Sequence, residues 1–204
     1  MKKKTVALLL ALTLVVGGVI GGTVAYLTTS TGEVKNTFTV GDINIDLWET
    51  KDGKHDANKI KNDAGNYVVR TRENIKVIPG SDIDKDPTVT VKAGSEACYL
   101  FLKVTATGWT SNNVTYTVDN TVWKPYEENG VVVAYYTEIN SYTETDTDYN
   151  VLTGMKVEVK TGLTKEEAKT LTNMSLTFKA AAVQKDNVKT VAEAYGLVKT
   201  LLGN

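Results

Sequence analysis

The 204-residue sequence predicts an antiparallel β-sandwich with a short crossover helix and a C-terminal helix, on three observations. After Tyr26, apolar residues recur mostly at every second position, the period of a strand with one buried face. Turn-forming pairs such as Pro79-Gly80 and Asn129-Gly130 separate these runs. Only two segments carry helical spacing, and each opens on a capping box. About eight or nine short strands with turns between them suit a single sandwich domain.

The N-terminus has a different character. Lys2 to Lys4 precede an apolar run from Val6 to Ile20, and a glycine-rich stretch then leads to Thr23-Val24-Ala25. A positive start, a short apolar stretch and a small residue at the end form a secretory signal, so residues 1–25 are read as a signal peptide cleaved between Ala25 and Tyr26. The rival reading is a membrane anchor, which needs about 20 apolar residues. The glycines weaken so long a helix. Without residues 1–25 the formal net charge moves from −1 to −4, because three lysines and no acid are lost. A mildly acidic chain lacks the basic patch that nucleic acid requires. Contact with a membrane is expected only through an uncleaved signal segment.

Within the remaining chain, Phe38 and Val40 alternate with polar residues, as do Ile43, Ile45 and Leu47 in the opposite parity. Gly41 sits at that switch, where a bulge or bend is expected. Residues 26–41 are a candidate donor strand and residues 42–204 the sandwich domain. Tyr67 to Val69 and Ile75 to Ile78 are short apolar runs, and Val89 and Val91 mark a half-buried strand. Cys98 to Val104 is apolar at nearly every position, which predicts a central strand covered on both faces. Val114, Tyr116 and Val118 alternate again. Val122 to Tyr126 and Val131 to Tyr136 flank a hairpin at Asn129-Gly130. Pro125 cannot donate to a ladder, so its strand belongs on an edge. Met155 to Val159 and Leu176 to Ala182 supply further strands. Thr164 with Glu167 caps a short surface helix, and Thr190 with Glu193 caps one whose stripe is Val191, Tyr195, Val198 and Leu202.

Signs of catalysis are few. His55 is the one histidine, in a charged loop, so neither a zinc-hydrolase ligand set nor a Ser-His-Asp arrangement is visible. Cys98 is the one cysteine and reads as a buried, inert thiol. Asp82, Asp84 and Asp86, and likewise Glu144, Asp146 and Asp148, place three acids two residues apart. Calcium takes such oxygens, but neither run has the glycine or the distant glutamate of a calcium loop, so solvated charge is the simpler reading. No catalytic residue, resident metal or cofactor is assigned. No sorting motif follows Leu202, so covalent attachment to a cell wall is not expected.

Several blocks resemble the TasA/camelysin-type family of secreted Gram-positive proteins. They are Gly21-Gly22-Thr23-Val24-Ala25-Tyr26-Leu27, Asn36-Thr37-Phe38-Thr39-Val40-Gly41 and Ile43-Asn44-Ile45-Asp46-Leu47. Ile78-Pro79-Gly80-Ser81, Gly94-Ser95 and Leu176-Thr177-Phe178-Lys179-Ala180 support it further on. The resemblance implies a jelly-roll-like sandwich, a SipW-type signal peptidase as export partner, and fibres of a biofilm matrix or cell surface. Those fibres form by donation of the N-terminal strand to the next copy, here Tyr26, Leu27, Val34, Phe38 and Val40. Camelysins have also been classed as metallopeptidases, an alternative for which this chain offers no visible zinc ligands. A monomeric adhesion module using Trp109, Trp123 and exposed tyrosines is a third reading.

Burying five such side chains yields about 1.5–3 kcal/mol each. Ordering the segment costs about 1–2 kcal/mol per residue. Donation therefore needs an acceptor that is already apolar and unpaired, as an open sheet edge is.

Overall fold

The computed structural model describes residues 42–54, 68–69, 72, 75–109, 113–171 and 173–204. The chain divides into two units, Met1–Val40 and Gly41–Asn204, and every element below belongs to the second. The signal segment, its Ala25–Tyr26 junction, the donor residues Tyr26, Leu27, Val34, Phe38 and Val40, the Gly41 switch and His55 lie outside the described residues.

Eleven strands are described. They are β1 (Ile45–Thr50), β2 (Val68–Val69), β3 (Ile83–Asp84), β4 (Thr88–Val91), β5 (Cys98–Thr107) and β6 (Val114–Thr115), then β7 (Lys124–Glu128), β8 (Val131–Ile139), β9 (Thr147–Asn150), β10 (Lys156–Val159) and β11 (Ser175–Gln184). All the strand pairings are antiparallel, in three sheets ordered β2-β1-β4-β9, β3-β10-β6 and β11-β5-β8-β7. The first two run on from one another. β3 leads into β4 and β9 into β10, with Lys85 N–H donating to Met155 O at 2.8 Å and Val151 N–H to Pro87 O at 2.9 Å. Between β9 and β10 a 3₁₀ turn over Thr153–Met155 inserts extra residues, with Gly154 and Met155 both at positive φ. The result is one long layer, sheet I, facing sheet II (β11-β5-β8-β7).

Two cores follow from the period-two pattern of β5. Cys98, Leu100 and Leu102 meet Val89, Val91, Val151 and Val157 of sheet I. Tyr99 and Phe101 point the other way, with Ala134 and Ala181, onto the C-terminal helix. The chain is thus a mostly β, antiparallel sandwich with a helix laid on its second sheet, as the sequence pattern indicates. The crossover helix α1 (Lys165–Thr170) links β10 of sheet I to β11 of sheet II, and α2 (Val191–Leu202) buries Ala194, Tyr195, Val198 and Leu202. Both capping boxes are formed. Among the described residues no helix is long and apolar enough to cross a membrane.

Several expectations need correction. Val89 and Val91 are not on a half-buried strand, because Thr88 and Thr90 on its other face are buried too. Trp48 Nε1–H donates to Thr90 Oγ1 at 2.7 Å, and Thr90 Oγ1–H to Asp148 Oδ1, so the outer threonines are held in a polar network. Trp123 is fully buried, its Nε1–H donating to Asn150 O at 2.8 Å, and so cannot belong to an exposed adhesive patch. Of the two acidic runs, Asp82, Asp84, Glu144, Asp146 and Asp148 are exposed as expected, and Asp86 is not. Asp86 is buried, Asp82 pairs with Lys156 at 2.8 Å, and Asp146 accepts from Ala93 N–H and Lys92, both at 2.9 Å.

Candidate functional site

The two margins of sheet II differ. At one, β7 carries Pro125, a bulge between Tyr126 and Glu127, and exposed Lys124, Glu127 and Glu128. Proline, a bulge and charge are the devices that keep an edge from recruiting another strand. At the other margin, β11 keeps an unbroken register with β5 over ten pairs, from Ser175↔Thr107 to Gln184↔Cys98. It has no proline, and Lys179 is its one charged residue. Among the described residues β11 hydrogen-bonds no strand on its other side.

The phase of that ladder can be fixed. Lys185 N–H donates to Ala97 O at 2.9 Å, one pair beyond the strand in the same register. In an antiparallel ladder, mutually bonded and non-bonded pairs alternate. The odd residues of β11 therefore bond β5, and Leu176, Phe178, Ala180 and Ala182 turn their N–H and C=O groups outward. The side chains of these four residues pack on the core between the sheets and are half-buried. An incoming strand bonded to them would direct its own alternate side chains into the same space.

That space is a groove along the start of β11. A cleft of about 630 Å³ is walled by Ile75, Val77, Trp109, Val157, Met174 and Leu176. A smaller one of about 140 Å³ continues it past Leu47, Trp48, Pro87 and Phe178. Arg72 and Lys85 line both. Lys85 Nζ lies 2.6 Å from Glu49 Oε2 and 5.6 Å from the centre of the Phe178 ring. Arg72 Nη1–H donates to Asp84 O at 2.6 Å. Gly53 makes room for this contact, because at φ +76° any side chain there would overlap the Asp84 carbonyl and the guanidinium.

Beside the groove, Asp86 accepts from Thr50 N–H at 3.1 Å and Thr50 Oγ1–H at 2.7 Å. Burial pushes its carboxyl above the ordinary value of 3.8, although the Thr50 bonds oppose the shift. Burial also pushes the Cys98 thiol up to about 11, so it stays protonated at neutral pH. No three His, Cys, Asp or Glu side chains among the described residues gather closely enough to hold a metal ion.

The sequence pattern did not single out Arg72, Lys85 or Glu49. Lys85 stands between Asp84 and Asp86 and reads as solvated charge. Trp109, weighed as an adhesive residue, lines the groove and donates to Ser175 O at 2.9 Å. No family model, curated protein or solved structure matches this chain.

Proposed function

We propose that this chain is an exported structural protein of the extracellular matrix or cell surface, which polymerises by donating its N-terminal strand to the next copy. The asymmetry of sheet II carries the reading: one guarded edge, and one edge that pairs with no further strand among the described residues, beside a groove walled in part by apolar side chains. Donation requires such a preformed acceptor, because side-chain burial and strand ordering nearly cancel. The leader, with three lysines and an apolar run, supports export. While attached, it would tether the donor segment; cleavage after Ala25 would release it.

The test is negative-stain microscopy and sedimentation of protein beginning at Tyr26. Fibres are expected above a threshold concentration, and deletion of Tyr26 to Val40 should leave soluble monomers. Fibres that survive the deletion, or monomers at every concentration of the undeleted form, would end the proposal.

A further inference from the structure

The groove beside β11 has an order: apolar, polar, apolar. Trp109 and Met174 wall one end, Trp48 and Phe178 the other, and Arg72 and Lys85 stand where the two clefts meet. Arg72 is tied to a backbone carbonyl through Nη1, which leaves guanidinium donors without a carboxylate partner among the described residues.

The candidate donor has a matching order. On an extended strand Val34, Asn36, Phe38 and Val40 share one face, and Asn36 is its one polar residue. A one-residue slip would turn that face out of the groove and is excluded by burial. A two-residue slip keeps the apolar face inward, so burial alone does not forbid it. Only a polar mark on that face separates the two registers, as a lone asparagine does inside a coiled coil.

We propose that Asn36 of the donating copy docks between the clefts at Arg72 and Lys85 of the accepting copy and fixes the register of the exchanged strand. This rests on the strand-donation reading. The Asn36 amide oxygen accepts from Arg72, and its NH₂ faces the Glu49 carboxylate that pairs with Lys85. Val34 and Phe38, about 7 Å to either side, then fall in the two apolar clefts. Shifted by two residues, the amide loses its partners and an apolar side chain covers the cations, an arrangement penalised on both counts.

The readout is the threshold concentration for sedimentable fibres of protein beginning at Tyr26. Asn36→Arg, which sets a cation against Arg72, is expected to raise it about tenfold. Adding Arg72→Glu should restore it to within about threefold of the parent. An Asn36→Arg protein that assembles like the parent, or a failed restoration by a folded double variant, would overturn the proposal. Phe38→Asp separates the two levels. If it also assembles normally, strand donation itself is wrong; if it abolishes fibres while the Asn36 variants behave like the parent, only the register assignment falls.

Discussion

Lys85 and Glu49 meet at 2.6 Å where sheet I faces β11, with side-chain exposures of only 10% and 6%. The Phe178 ring lies under the ammonium group. A buried pair of this kind contributes little beyond an apolar replacement, yet removing one partner strands the other charge. It sits at the groove as a fixed polar point beside Arg72.

Glu49→Gln and Lys85→Met, made singly, should each cost about 3–5 kcal/mol in urea unfolding. The double change Glu49→Leu with Lys85→Met should cost much less than the sum of the two. Additive losses would show that the pair does not act as a unit.

Asp86 gives stability a pH dependence of the less common sign for a carboxylate. Its folded value is raised by burial, so the native state holds its proton to higher pH than the unfolded chain does. The contribution is fully present below the ordinary 3.8 and is lost as pH rises through the folded value. Asp86→Asn keeps an acceptor for Thr50 N–H and removes the titration. Unfolding midpoints across pH 4 to 7 should show the variant gaining on the parent as pH rises; a constant difference would contradict the assignment.

Proline scanning of β11 tests the ladder phase. Ala180→Pro deletes an outward N–H and should leave monomer stability nearly unchanged while blocking strand acceptance. Ala181→Pro deletes a bond to β5 beneath α2 and should cost about 3 kcal/mol or more. Thermal unfolding of the two variants distinguishes the phases, since the opposite phase reverses their order.

Cys98 offers a probe of opening. Buried and with its thiol held at about 11, it should resist alkylation in the native protein and react only on unfolding. Mass spectrometry after timed exposure to iodoacetamide would follow it. Prompt labelling in native buffer would show that β5 opens locally.

The elements most legible in the sequence were those whose side chains alternate without exception or whose caps are explicit. Cys98 to Leu102 reads as a strand covered on both faces because no position in it is polar, and both faces are buried. Pro125 announced a margin through its missing donor. Thr147–Asn150 was not legible, because TDYN lacks an apolar alternation, and pairing with β4 rather than propensity makes it a strand. That β11 pairs on one side only among the described residues was also invisible. Backbone direction depends on which pairs of the ladder bond, and side-chain patterning carries no record of that. Asp86 reads as solvated charge for a related reason: its hydrogen-bond partner Thr50 is 36 residues away in the sequence.

The guarded margin at β7 has a consequence for how copies would connect. Under the strand donation proposed above, with Pro125 and the bulge closing one side of sheet II, each subunit would offer one berth and one strand to fill another. Units with that valence make lines without branch points, whose two tips differ chemically: one presents an empty groove, the other an unengaged strand. Growth at such tips would be directional. A single molecule with its own strand removed could still occupy the strand-bearing tip and bring elongation there to a halt.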